Sequence, residues 1–199
     1  MYSGSYERNR DPIVEVLKGL QVEPGEVLEV GSGSGQHICY FAKTFGDEWS
    51  WQPTEQEQNV ESIQAWREAE GVSARVKKPV AINLLEERWS DVLEGSYTMV
   101  MSVNVVHIVV WQGVVNLLNG VGKMLKSGGV LYLYGPYRSQ DRELEPSNAR
   151  FDVFLKETYE GGGLRDVERV VEVARGAGLE FEQEIAMPAN NRSLIFRKI

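Results

Sequence analysis

Short apolar runs and longer segments of helical periodicity alternate along the chain. The run at 97–103 is apolar at nearly every position, which is typical of a strand buried on both faces of a sheet. The segment 58–70 carries apolar residues at helical spacing and stops at Gly71, which predicts a helix with a glycine terminator. The same criteria predict strands at 27–30, 49–52, 80–82, 97–103 and 130–134, and helices at 12–20, 36–45, 58–70, 111–125, 147–159 and 166–177.

Two prolines define predicted boundaries. Asp11 is predicted to cap the first helix, with Pro12 as its first helical residue, where no backbone N–H is needed. Pro53 is predicted to end the second strand, because proline has no N–H to donate to a strand ladder.

The order of the elements predicts an α/β fold. Strands alternating with helices indicate a parallel sheet with right-handed crossovers and helices on both faces. The segments 179–186 and 192–197 are strand-like and are joined by five residues, which predicts an antiparallel hairpin. We therefore predict a Rossmann-like, mostly parallel seven-stranded sheet with a C-terminal antiparallel hairpin. One domain is predicted over 1–199, with 1–10 as an N-terminal arm or lid.

Composition narrows the class of partner. The 199 residues include 29 acidic and 21 basic side chains, and the net charge of -8 argues against a nucleic-acid partner, although a local basic stretch at 75–78 is hidden in that value.

One cysteine and two histidines leave no disulfide framework and almost no basis for a zinc cage, so no metal site is predicted. Without a membrane-length apolar run or a signal-peptide layout, the expected location is cytoplasmic. The oligomeric state is left open.

A glycine-rich loop follows the first predicted strand. Positions 29–35 read Glu-Val-Gly-Ser-Gly-Ser-Gly, but the dinucleotide-binding pattern would require a third glycine where Gln36 stands. The observed spacing, with an acidic residue before it, is typical of S-adenosylmethionine-dependent methyltransferases, whose ligand carries a sulfonium and an ammonium group. The alternative is a plain glycine-rich turn. The loop residues predicted to bind the cofactor are Glu29, Gly31, Ser32, Gly33 and Gly35.

Polar residues after the next two strands complete the predicted cofactor site. Glu55 follows the second strand, where a carboxylate can accept both ribose hydroxyls; a surface glutamate is the alternative. Asn83 follows the third strand and is predicted to bond the adenine amine, while Leu84 is predicted to pack on the adenine face.

The sequence resembles the methyltransferase-like 26 family, also called domain of unknown function 938, from about Glu7 to the C-terminus. The resemblance lies in blocks that occur in the same order at 7–13, 27–37, 51–55, 133–137, 147–152, 163–166 and 187–197. It implies a class I methyltransferase fold and S-adenosylmethionine as cofactor, and it leaves the methyl acceptor open. The family usually carries aspartate where this chain has Glu55 and Asn83. Glu55 keeps the carboxylate that is expected to bind the ribose, whereas Asn83 lacks the negative charge that an aspartate would carry there.

Candidates for catalysis lie after the fourth and fifth strands. Asn104 occupies a position where such enzymes contact the methionine part of the cofactor or the acceptor. His107 is predicted to act as a base near neutral pH, with a packing histidine as the equally weighted alternative. Tyr137 is predicted to project over the pocket and to shape the acceptor site or face the sulfonium.

Further candidates lie near the expected methionine end of the cofactor. The family match places His37 near the cofactor carboxylate, although a structural role is equally expected. Arg8 or Asn9 is predicted to pair with that carboxylate, with Arg10 as the alternative partner. The sequence thus predicts methyl transfer to a small or peptide-borne acceptor. The alternative is a module that binds the cofactor, or a protein partner, without catalysis.

Overall fold

The computed structural model describes residue 4 and residues 6–199. The helices are α1 (Tyr6–Gly19), α2 (Gln36–Thr44), α3 (Val60–Ala69), α4 (Trp111–Met124), α5 (Pro146–Thr158) and α6 (Val167–Gly176). The strands are β1 (Glu26–Val30), β2 (Ser50–Glu55), β3 (Val80–Ala81), β4 (Tyr97–Val103), β5 (Leu125–Gly135), β6 (Tyr137–Arg138), β7 (Arg165–Asp166), β8 (Leu179–Met187) and β9 (Asn191–Lys198).

Seven strands form one sheet in the order β3-β2-β1-β4-β5-β9-β8. Neighbouring strands from β3 to β5 are parallel, and β9 runs antiparallel to both β5 and β8. The predicted seven-stranded sheet with a C-terminal antiparallel hairpin is confirmed. Strands β6 and β7 pair separately as a short parallel ladder.

The sheet divides the apolar core into two layers. Successive residues of a strand point to opposite faces, so Val27 and Leu28 of β1 belong to different clusters. One cluster packs the sheet against α4 and α6, and the other packs it against α1 and α2. This double coverage explains the nearly continuous apolar runs of the central strands. Within the described residues, no helix combines the length and apolarity that a bilayer span requires.

Helix α1 starts earlier than the sequence predicts. It begins at Tyr6, and Pro12 lies inside it, so the predicted Asp11 cap is wrong. The first turns are anchored by Asn9, which is buried and contacts His37 of α2 (Nε2 to Oδ1, 2.8 Å). The Asp11 carboxylate instead accepts a hydrogen bond from the Tyr40 hydroxyl. Residues 1–3 and 5 of the predicted N-terminal arm lie outside the described residues.

Strand β2 continues through Pro53 to Glu55, so the predicted boundary is wrong. The Trp51 N–H donates to the Arg75 carbonyl on the side away from β1. Hydrogen-bonding directions alternate along a strand, so the Pro53 nitrogen points to the same side as the Trp51 N–H, away from β1. The pairing of β2 with β1 therefore loses no hydrogen bond at the proline. The Gln52 side chain covers this side by donating to the Pro53 and Lys78 carbonyls, both at 2.9 Å. Glu55 therefore stands at the carboxyl end of a strand.

Candidate active site

The glycine loop between β1 and α2 has a backbone that only glycine adopts easily. Gly31, Gly33 and Gly35 have φ angles of 77°, 56° and 91°. A Cβ on Gly31 would lie 2.4 Å from Val105, and one on Gly35 would lie 2.9 Å from the Cα of Ile63. A Cβ on Gly33 would meet nothing within 4 Å. Packing thus explains the outer two glycines, and Gly33 leaves room for a ligand to approach the main chain.

Glu55, at the end of β2, lies against this loop. Its Oε2 accepts a hydrogen bond from the Gly33 N–H at 2.7 Å, and its Oε1 accepts one from the Gln56 N–H at 2.8 Å. The loop is held to β2 by Thr54, whose carbonyl accepts from the Gly31 and Ser32 N–H groups at 3.1 and 2.8 Å. The predicted ribose-binding carboxylate therefore stands beside the glycine with open space.

Glu29 is a buried carboxyl at the base of the loop. It is 1% exposed, and its Oε2 has no hydrogen-bond partner. Burial is the main cause that raises its pKa to about 8, with a hydrogen bond from Ser32 opposing the increase and the nearby Glu55 charge adding to it. An unpartnered buried carboxyl is costly.

A second part of the site is a cavity of about 660 Å³ near the carboxyl ends of β4 and β5. Asn104 lies on this cavity with a left-handed backbone (φ 60°), and its N–H donates to the Tyr134 carbonyl at 2.9 Å. The other lining residues are Arg8, Asn9, His107, Ile108, Tyr134, Pro136, Ser147, Asn148, Phe151, Phe154, Leu155, Tyr159, Pro188, Ala189 and Asn191. The aromatic residues of α5 were not predicted from the sequence.

His107 lines the cavity and is buried. The residue is 3% exposed, and its Nδ1, on the side of Gly135, has no hydrogen-bond partner. Burial, together with the positive charge of Arg165, lowers the pKa of His107 to about 4. The ring packs edge-on against Phe151, with centroids 5.8 Å apart. A neutral imidazole has one nitrogen that donates a hydrogen bond and one that accepts.

The loop that carries His107 is held by the segment after α5. Arg165 donates from Nε to the Val106 carbonyl at 2.9 Å and from Nη2 to the Val109 carbonyl. The Gly163 N–H donates to the carbonyl of His107 itself at 2.9 Å. Arg165 was not predicted as a site residue. The only signal was its place in the block 163–166, which carries part of the family resemblance.

The predicted residues at the methionine end divide into two groups. Arg8 and Asn9 line the cavity beside Asn104. His37 bonds Asn9 and packs edge-on against Tyr6, with ring centroids 5.2 Å apart. Burial lowers the pKa of His37 to about 4. His37 therefore joins α1 to α2 and reaches the cavity only through Asn9.

Asn83 lines another cavity, of about 480 Å³, beyond the end of β3. Its Oδ1 accepts a hydrogen bond from the Leu85 N–H at 3.0 Å. The predicted contact of Leu84 is not seen, because this side chain is buried in the core beside α4. Leu85, which is 59% exposed, lines the cavity in its place.

Tyr137 does not project over the large cavity. Its side chain is fully buried in the core cluster that faces α4 and α6. Burial raises the pKa of its hydroxyl, which has no hydrogen-bond partner. The chain after Gly135 pairs as β6 with β7, and this pairing turns the side chain inward. The expected role of Tyr137 at the acceptor site is therefore not supported by its position.

The sheet order and the glycine loop after β1 define a Rossmann-like methyltransferase fold. An O-methyltransferase family protein from Burkholderia thailandensis superposes with a TM-score of 0.83 and 20% sequence identity, covering 97% of this chain and 57% of that protein. The mitomycin 7-O-methyltransferase MmcR has a TM-score of 0.79 at 15% identity, with 96% and 54% covered. PigF, solved with SAH, has a TM-score of 0.73 at 15% identity, with 87% and 50% covered. The chain thus spans little more than half the length of these proteins.

The chain belongs to the DUF938 family, a protein family of unknown function whose model matches residues 1–198. The resemblance seen in the sequence is therefore confirmed over nearly the whole chain.

Replacing Glu29 by glutamine tests the raised pKa of this carboxyl. The pKa of this carboxyl is about 8 in the folded protein and 4.5 in the unfolded chain. Between these pH values the folded protein holds a proton that the unfolded chain has released. The free energy of unfolding of the wild type therefore falls as the pH rises from 4.5 to 8. Glu29→Gln stays uncharged and avoids this loss. We expect the free energy of unfolding of the variant to exceed that of the wild type by about 3 kcal/mol or more at pH 8.5.

The measurement is urea unfolding at pH 5, 7 and 8.5. Glu26→Gln is the matched control, because Glu26 lies on the same strand and pairs with Lys77 at the surface. A Glu29→Gln difference that does not grow with pH would contradict the raised pKa.

Replacing Arg165 by glutamine tests its hold on the His107 loop. Loss of the guanidinium removes a positive charge and two hydrogen bonds to the loop, so the pKa of His107 should rise by about one unit or more. The chain has two histidines, so both can be followed by NMR titration. Arg165→Lys keeps the charge and should retain a low pKa. Arg169→Gln is the control, since Arg169 lies over the Trp111 ring instead. An unchanged titration of His107 in Arg165→Gln would rule out this role.

Proposed function

We propose that the protein is an S-adenosylmethionine-dependent methyltransferase that methylates a hydroxyl group of a small molecule. The observation that carries this proposal is the contact between Glu55 and Gly33, a carboxylate bonded at 2.7 Å to the one loop glycine with open space around it. The larger cavity, at the carboxyl ends of β4 and β5, is lined by the buried His107. The similarity to O-methyltransferases and to PigF with SAH supports the same function.

The residues present fit the cofactor group by group. Glu55 would bond the ribose hydroxyls after exchanging its hydrogen bond with Gly33. Glu29 would meet the ammonium group, which removes the cost of its unpartnered oxygen. Asn83 would face the adenine from the smaller cavity. Arg8 or Asn9 would bind the methionine carboxylate from the larger one.

When bound, S-adenosylmethionine supplies a methyl group activated by its sulfonium charge. The protein then needs mainly to align the acceptor oxygen with that methyl group. His107 would orient the acceptor by accepting a hydrogen bond from its hydroxyl, and would take the proton as the oxygen–carbon bond forms. Asn104, beside it, lies where it can bond the acceptor or the methionine part. Burial of His107 excludes water from this proton transfer.

Replacing Glu55 by alanine tests the cofactor site. Loss of hydrogen bonds to a charged group should weaken S-adenosylmethionine and S-adenosylhomocysteine binding by about 10- to 100-fold. Glu61→Ala is the control, because this exposed glutamate lies in the first turn of α3. The measurement is isothermal titration calorimetry with both ligands.

The outcome separates the possible functions of the fold. Micromolar binding that Glu55→Ala weakens and Glu61→Ala leaves intact supports the methyltransferase. Absence of binding by the wild type would overturn the proposal and leave a fold that serves protein partners. Binding without turnover in an acceptor screen would favour a non-catalytic cofactor-binding module.

A further inference from the structure

The wall of the large cavity contributed by α5 is aromatic. Phe151 and Phe154 are 37% and 52% exposed, and their rings are nearly parallel, with centroids 5.9 Å apart and an interplanar angle of 17°. Both line the cavity, and Phe151 also meets the edge of His107. Tyr159, 38% exposed, lines the same wall. Half-exposed aromatic rings grouped in a concave site are typical of ligand-binding surfaces.

The amides around this wall are already engaged in holding the β8–β9 turn. Asn148 Nδ2 donates to the Asn190 carbonyl at 3.0 Å, and Asn190 Nδ2 donates to Ser147 Oγ at 2.9 Å. Asn191 Nδ2 donates to the Pro188 carbonyl at 2.9 Å. These hydrogen bonds fix the cavity wall. The His107 ring lines the same cavity beside Phe151.

The charges of the cavity also restrict what it can bind. Among the described lining residues, Arg8 is the only one with a full charge, and none is a lysine or a carboxylate. A positively charged acceptor would find no anion to replace its hydration. The acceptor is therefore uncharged or anionic, and the aromatic side chains of α5 favour a flat ring in it.

We infer that the methyl acceptor is a planar aromatic compound that carries a hydroxyl on the ring, a phenol or naphthol. Its ring packs against Phe151 and Phe154, and its hydroxyl points to the His107 ring. This inference rests on the proposed function and specifies its substrate class. In the reaction the acceptor oxygen bonds to the methyl carbon as the carbon–sulfur bond breaks. The sulfur keeps the electron pair, and the hydroxyl proton passes to His107.

Two alcohols with the same carbon skeleton, one aromatic and one saturated, test the aromatic preference. Calorimetry on protein saturated with S-adenosylhomocysteine compares 2-naphthol with trans-decahydro-2-naphthol, which has the same skeleton and hydroxyl but no aromatic ring. We expect 2-naphthol to bind about tenfold more tightly, because ring stacking adds to the burial of apolar area. By NMR, 2-naphthol should shift the His107 ring signals and leave those of His37 in place.

Substitutions on α5 locate the binding surface. Phe151→Leu and Phe154→Leu should each weaken 2-naphthol binding by about three- to tenfold without changing S-adenosylhomocysteine affinity. Val153→Ala is the matched control, because Val153 is equally exposed on α5 but does not line the cavity. Melting temperatures verify that all three variants fold. With S-adenosylmethionine, mass spectrometry should detect 2-methoxynaphthalene, and His107→Ala should abolish it.

Each result bears on a different claim. If S-adenosylhomocysteine binds but the two alcohols bind equally, or neither binds, the aromatic acceptor is overturned and the cofactor site stands. If 2-naphthol binds but the α5 variants have no effect, the assignment to this wall is overturned. Failure to bind S-adenosylhomocysteine overturns the proposed function, and the inference with it.

Discussion

The parallel pairing of β1 with strands on both sides is the constraint on which the site depends. On one side, Thr54 of β2 accepts the first loop hydrogen bonds through its carbonyl and donates its hydroxyl to the Glu29 carbonyl at 2.8 Å. On the other side, Ser102 of β4 donates its hydroxyl to the Val30 carbonyl at 2.9 Å. Parallel strands bring their carboxyl ends to one edge, so this pairing places the glycine loop, Glu55 and Asn104 together.

The site also contains polar groups that folding alone does not favour. Glu29 and His107 are both buried, and each has an atom without a hydrogen-bond partner. Their pKa values move in opposite directions, and for the same reason, because burial disfavours the charged form of either group. Both are therefore uncharged at pH 7 in the free protein. Their cost to stability is understandable if a ligand supplies the missing partners.

The positions of the glycine loop and of Glu55 were predictable from the sequence because their signals are local. The glycine spacing, the preceding Glu29 and the strand-end Glu55 each lie next to a strand that is evident from its own pattern. The aromatic wall on α5 was not predictable, because Phe151 meets His107 from more than 40 positions away in the sequence, and Phe154 stacks on Phe151. Tyr137 was misplaced for a related reason, since the short β6–β7 pairing that turns it inward has no periodic signature.

The two faces of helix α5 make different kinds of contact. On its inner face, Asp152 accepts the Leu164 N–H at 2.8 Å and bonds Lys156 at 2.6 Å, which fixes the segment that leads to Arg165. On its cavity face, Phe151 and Phe154 have no comparable structural partners beyond each other and His107. Evolutionary exchange of the side chains on the cavity face can therefore change the shape of the cavity, while the inner face keeps the segment that leads to Arg165 in place.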